Sequence, residues 1–433
     1  MLNNGDTAWM LVSTALVLVM MPGLALFYGG LVRSKNVLST FMHSFVVLGL
    51  ITLQWVIFGY SLAFGPDHGG VIGGLSHAFM NGVTLAPRQG DSIPHMLFFA
   101  YQMMFAIITP ALISGAYAER FKFSAYALFT LLWATLIYDP LAHWVWGSGG
   151  WMAKLGVLDF AGGIVVHISS GVSALVVALV VGKRLGYPRD RSIPHNLTMV
   201  LLGAGILWFG WFGFNGGSAG GASGTAVLAL VNSQLAAAAG GMAWLLVDVI
   251  RYRKASALGF ASGLVAGLAT VTPAAGFVGP MAAIIIGVAA GLACYGAVML
   301  KSRLGYDDTL DAFGVHGVGG FVGTVLLGAF AAKAWNSAGA DGLFAGNAAF
   351  LGKQLLAGVV TVAYSAGGTF VVLKLVDKLV GLRVSADEER EGLDINLHGE
   401  EGYAIVNSSF GREVVAVSPE QKPAPAQRPV PVA

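Results

Sequence analysis

Charge is what this sequence has least of. Charged residues make up 11% of its 433 positions, whereas a soluble domain carries about 25%. Water cannot solvate such an exterior, so lipid must face most of it. Cysteine is nearly absent as well. Cys294 stands alone, which excludes an intrachain disulfide and a cysteine-based metal cluster. It lies in an apolar stretch and reads as a small buried hydrophobe. A formal net charge of +2 gives no footing for nucleic acid. Met1 to Asp6 hold an acid and no base, so the basic start of a secretory leader is missing there. No nucleophile beside a base appears, so an enzyme is not expected, and nothing calls for a cofactor.

What the chain has in abundance is apolar surface and glycine. Hydrophobic residues reach 56%, glycines number 61, and the mean hydropathy is +0.73. Small residues let helices in a bilayer pack closely. The pattern predicts an all-α integral membrane protein of about eleven spans, each near 20 residues. They run over Trp9–Leu31, Thr40–Phe64, Pro94–Ala116, Phe123–His143, Gly162–Val181, Leu197–Phe214, Ala226–Ile250, Ala257–Thr272, Val278–Leu300, Phe313–Ala332 and Leu351–Leu375. Arg33 and Lys35, Arg120 and Lys122, Lys183 to Arg191, Arg251 to Lys254, and Lys301 and Arg303 fall in alternate loops. The positive-inside rule makes those loops cytoplasmic. The N-terminus is then outside and the C-terminus in the cytoplasm. Residues 1–382 form the bundle and 383–418 a cytoplasmic tail. Residues 419–433 are proline-rich and too polar to fold.

Ionisable groups inside spans are expensive and point to function. Asp159-Phe160-Ala161-Gly162-Gly163 precedes His167, and Asp311-Ala312-Phe313-Gly314 precedes His316. The two runs lie five spans apart and so enter from opposite faces. An inverted five-plus-five repeat produces that arrangement, with the site between its halves and an eleventh span added. Each Asp suits a helix start, where it caps free amides, and each also has the charge to steady a passing cation. His167 and His316 suit a central path in which they face each other. A haem or metal pair is the rival, but a third ligand is lacking. His43, His77, His95 and His195 read as loop or interface residues.

Tyr101 and Phe105 share a helix face. With Trp146 and Ser218 they offer π-faces and a hydroxyl to a small cation, while Trp144, Trp151 and Trp208 suit the aromatic belt. Energy limits what such a trap does. Burying an ammonium-sized ion costs on the order of 20 kcal/mol, and each cation–π contact returns roughly 0.5–2 kcal/mol. The trap therefore works only at a wet mouth. A cation that can shed its proton and cross as a neutral molecule fits two histidines in a dry path; potassium does not.

Taken together, Gly115-Ala116-Tyr117-Ala118-Glu119-Arg120, the Asp159 and Asp311 runs with their histidines, Trp211-Phe212-Gly213-Phe214-Asn215, and Gly392-Leu393-Asp394 to His398-Gly399-Glu400 resemble the ammonium transporters of the Amt/Mep/Rh family, bacterial branch. The resemblance runs from the first span to about Tyr403. It implies eleven helices, a homotrimer with one pore per subunit in the cytoplasmic membrane, and uptake of ammonium, with methylammonium as analogue. Trp146, Phe105 and Ser218, with Tyr101, would recruit the ion, Asp159 acting electrostatically. Phe105 and Phe214 would form a gate, and His167 and His316 the pore pair. Asp394, His398, Gly399 and Glu400 would belong to a tail that docks under the pore and engages a PII-type signal protein. Two other functions remain open: an ammonium sensor, and a channel for neutral gas or small solutes. Flux in cells lacking ammonium uptake separates the first. Competition by methylammonium but not urea separates the second.

Overall fold

The computed structural model describes residues 1–189 and 193–403. The proline-rich stretch 419–433, the last part of the predicted tail and Arg191 lie outside the described residues. Among the described residues, ten helices are long and apolar enough to cross a membrane. They are Asn4–Leu31, Ser34–Phe64, His95–Tyr117, Phe123–Leu155, Gly163–Val181, Leu197–Gly217, Gly224–Tyr252, Pro280–Leu304, Phe313–Phe330 and Ala348–Val380. A shorter apolar helix, Ala257–Val271, takes the eighth place. All eleven predicted spans are present. Eleven crossings leave the N-terminus and the tail on opposite faces, here called the N face and the tail face. The one sheet among the described residues is a two-residue hairpin pairing Asp67–His68 with Ile72–Gly73.

Helices five apart in sequence pack against each other, as the repeat requires. The first and sixth spans run together through glycines. A Cβ on Gly203 would lie 2.3 Å from the Phe27 nitrogen, and one on Gly210 2.3 Å from the Met20 side chain. The fifth and tenth spans cross still more tightly, with a Cβ on Gly171 falling 2.0 Å from the Gly317 nitrogen. Only glycine permits these approaches.

Both crossing helices begin alike. Gly163–Ile168 and Phe313–Gly317 are wide π-helical turns, and each carries its histidine. Such turns often mark functional positions. Asp159 caps the first. Its Oδ1 accepts from the amides of Gly162 and Gly163, its Oδ2 from Ile164 and Val165, at 2.6–3.1 Å. The second cap is not the expected Asp311. Asp308 accepts from Ala312 and Phe313 at 3.1 and 2.8 Å. Asp311 has a left-handed φ of 62°, which turns it out of the helical turn and into an ion pair with Lys301. The true repeat is therefore Asp159 to His167 and Asp308 to His316, with one spacing.

Two other expectations change. His43 is no loop residue. The second span starts at Ser34 rather than Thr40, which buries His43 at 1% exposure between Tyr117 and Tyr126. Trp144 leaves the predicted aromatic belt. It is buried against Trp151 and Tyr364, and its indole donates to the Val71 carbonyl at 2.7 Å.

Candidate functional site

The aromatic, hydroxyl and imidazole residues singled out from the sequence border three successive cavities. At the N face a cavity of about 730 Å³ is lined by Tyr101, Phe105, Trp146 and Ser218, among others. Trp146 is fixed by its indole, which donates to the Asp159 carbonyl at 2.8 Å. Phe105 meets Trp146 and Tyr101 edge-on, with centroids at 5.9 and 5.1 Å. Ser218 Oγ donates to the Phe214 carbonyl at 2.8 Å, so its oxygen remains free to accept. Tyr101 is spent on structure: its hydroxyl lies 2.8–3.2 Å from the Gly213 and Phe214 carbonyls and Ser218 Oγ. The Asp159 carboxylate is likewise committed, all its acceptor directions being met by four amides. The carboxylate bears on this cavity through its charge, while the main-chain carbonyl of the same residue holds Trp146.

Phe105 forms part of the cavity wall, and beneath it lies Phe214, ring to ring at 4.3 Å. Both are 1% exposed. Phe214 faces a second, much smaller void. Its volume is about 20 Å³, with Ile108, His167, Trp211, Phe214 and His316 in its wall. A void of that size holds roughly one water-sized molecule. The two imidazoles stack at 5.2 Å and 15°, with their Nδ1 atoms 3.3 Å apart. One proton serves that contact, so two neutral rings must hold opposite tautomers. One then presents a bare Nε2 and the other an Nε2–H. His167 Nε2 is buried without a protein partner. Trp211 stacks on His167 at 5.6 Å and 23°. The sequence had offered Trp211 only as part of a motif, although its place one turn before Phe214 was a readable signal.

His316 also borders a third cavity, of about 460 Å³, which opens toward the tail face. The succession is thus a wide mouth, a pair of phenyl rings, a void for one small molecule, two histidines and a second wide mouth. No mid-passage ring of carboxylates is present among the described residues. No group of three or more potential metal ligands occurs among them either.

This geometry stands beside a family-wide match. A family model described as Ammonium Transporter Family matches residues 8–403. The chain belongs to the ammonium transporter family. The family is one of membrane transporters and channels, not of enzymes. The chain is 53% identical over 401 residues to an ammonium transporter of Bacillus subtilis, covering 92% of this chain and 98% of that one. It is 47% identical over 402 residues to ammonium transporter Amt1 of Archaeoglobus fulgidus, covering 93% and 100%. Among solved structures it is similar to Mep2 of Saccharomyces cerevisiae, with a TM-score of 0.84, 40% identity and coverage of 89% and 88%. It is also similar to a structure titled Sensor Amt Protein, with a TM-score of 0.85, 31% identity and coverage of 91% and 98%.

The tail residues of this ammonium transporter family member gather under the loops of the tail face. Asp394 accepts from the Leu38 and Ser39 amides at 3.0 and 2.8 Å, capping the second span. Leu393 donates to Asn36 at 2.8 Å. His398 stands edge-on to Phe123 at 5.0 Å, Gly399 supplies a left-handed turn with φ 69°, and Glu400 is exposed. Glu389, which the sequence did not single out, bonds the Leu185 amide and Arg383 at 2.7 Å each. Above it lies an ion network. Glu119 pairs with Arg33 at 2.8 Å and with Arg184 at 3.1 Å, and Arg184 pairs with Asp307 at 2.9 Å. Burial works to raise the Glu119 carboxyl, but Arg184 and Arg33 outweigh it and hold it below the ordinary range. Asp308 lacks so strong a partner, and burial pushes it up to about 6.

Proposed function

We propose that this protein carries ammonium nitrogen into the cell by taking up the cation and passing ammonia. Ammonium settles in the N-face cavity against Trp146 and Phe105, with Ser218 accepting one hydrogen bond. It gives a proton to water in that cavity before the phenyl pair and crosses between Phe105 and Phe214 as ammonia, past His167 and His316, while the proton follows through the Nδ1 contact of the two imidazoles, so that net charge crosses. The observation that carries this reading is the 20 Å³ void, walled by aromatic rings and the two imidazoles. It suits a neutral molecule of water size and gives a bare cation far too little to offset roughly 20 kcal/mol of desolvation. The N face is extracellular and the tail face cytoplasmic, since the alternate loops on that side hold the lysines and arginines. In this reading the chain works as a homotrimer in the cytoplasmic membrane, with one pore per subunit. Residues 383–418 are the regulatory tail, and a PII-type signal protein acts on that face.

The deciding experiment is an ammonium pulse on protein in planar-supported liposomes, comparing wild type with His167→Ala and Trp146→Leu. Wild type should give a transient current that methylammonium also elicits and urea does not. Trp146→Leu should raise the half-saturating concentration several-fold. His167→Ala should lose the discrimination of ammonium from potassium. Equal and selective currents in wild type and His167→Ala would remove the proton-handling role of that ring. A second reading, an ammonium sensor, draws support from the similarity to the structure titled Sensor Amt Protein. It requires ammonium binding with negligible flux, which the same recording measures.

A further inference from the structure

Past the histidines, the 460 Å³ cavity at the tail face holds two carboxylates, Asp248 and Asp311, in its wall. Asp311 is engaged by Lys301. Asp248 is only 5% exposed, yet among the described residues it makes no hydrogen bond and no ion pair. The neighbouring helix start does not claim it, because the Gly259 amide already donates to Ser256 Oγ at 3.0 Å. Arg251, one turn further on, reaches the Tyr295 hydroxyl at 3.4 Å instead. With no protein partner among the described residues, its oxygens are left to whatever the open cavity holds, water or a ligand.

The surroundings suit one kind of ligand. Trp244, one turn before Asp248, meets Tyr295 edge to face at 5.4 Å, and both border the same cavity. Gly259 makes room for the carboxylate itself. A methyl group there would fall 1.9 Å from Asp248 Oδ2 and 3.0 Å from the Trp244 ring. An anion and two π-systems around a pocket that admits water make a site for a monovalent cation that donates hydrogen bonds. We propose that Asp248, Trp244 and Tyr295 form a second ammonium site, at the tail-face mouth of the passage. It resembles the N-face mouth in using aromatic rings but supplies a free carboxylate where that mouth supplies a hydroxyl. This proposal rests on the transport reading above, because it places the cation where ammonia leaving His316 meets water, or where ammonium from the tail side first binds.

Two measurements test it. Caesium ion, which keeps carboxylate and π contacts, is soaked into crystals of the full chain and located by anomalous scattering. A peak in contact with the Asp248 carboxylate and the Tyr295 ring is expected in wild type and should vanish in Asp248→Asn. Methylammonium uptake is then measured in vesicles of each orientation. Asp248→Asn should raise the half-saturating concentration about tenfold from the tail face, as loss of one charge-assisted contact predicts, and leave the N-face value unchanged. Asp248→Glu should restore it. Absence of caesium at Asp248 in wild type overturns the site, and so does an unchanged tail-face value in Asp248→Asn. If wild type itself shows no methylammonium flux from either face, the transport reading fails. The caesium peak, which needs no flux, still decides whether the site exists.

Discussion

Asp159 satisfies four backbone amides with two oxygens, and that single side chain sets where the fifth span begins. Each buried amide left without its acceptor costs about 1–3 kcal/mol. Asp159→Ala should therefore lower the thermal midpoint far more than Ser218→Ala, whose hydroxyl serves only one carbonyl and Tyr101. Fluorescence-detected size exclusion after heating reads this directly, and equal midpoints for the two variants would sink the claim. The sequence offered Asp159 as a cap that could also steady a cation by its charge, and the structure gives its oxygens to the cap. For its counterpart the sequence pointed to the wrong carboxylate. Asp307, Asp308 and Asp311 all precede His316, and composition cannot tell them apart. Equal spacing to the histidine would have chosen Asp308. What no spacing reveals is the left-handed backbone that turns Asp311 toward Lys301.

At the scale of elements, the eleven spans were readable because apolar runs of membrane length dominate the chain. Their ends were less so. The second span begins at Ser34 and the last ends at Val380, both beyond their hydropathy limits, since polar residues at helix ends satisfy caps and tail contacts that a hydropathy profile does not weigh. The π-helical turns at Gly163–Ile168 and Phe313–Gly317 also left no trace in composition. The crossing of the fifth and tenth spans is among the tightest glycine contacts. Gly171→Val places a branched side chain where even a Cβ comes within 2.0 Å of the Gly317 nitrogen. The helices must part, and the imidazole pair with them. The expected result is folded protein in reduced yield with methylammonium flux at least tenfold lower. Wild-type flux from folded Gly171→Val would show that the ring pair tolerates displacement.

For the molecule as a whole, the loops of the tail face are joined by charge as well as by buried apolar residues such as Val32 and Phe121. Glu119, Arg33, Arg184 and Asp307 link the loops after the first, third, fifth and ninth spans. The sequence showed Arg33 and Arg184 only as loop charges and Glu119 only inside a motif, and it did not single out Asp307, because which loops meet is a property of the folded bundle. Glu119 is held below its ordinary value of 4.5, so it binds fewer protons folded than unfolded. It therefore contributes stability above that pH, and the contribution is lost as the pH falls through its folded value. Wild type should lose thermal stability on acidification below 4.5. Glu119→Gln should be less stable at neutral pH, on the order of 3 kcal/mol where two arginines lose a buried partner, and should show a shallower acid limb. Parallel acid limbs for the two proteins would assign the loss to other carboxylates.

The glycine crossing fixes more than adhesion. With backbone against backbone at Gly171 and Gly317, and a Cβ on Gly320 already 2.8 Å from the Gly163 carbonyl, the calibre between the imidazoles is written in main chain, not in rotamers. Trimming a single side chain outside the imidazole pair cannot widen it by much. A descendant that admitted a bulkier amine would have to re-lay two helix axes together, so size selection here should resist point mutation far longer than affinity does at either mouth.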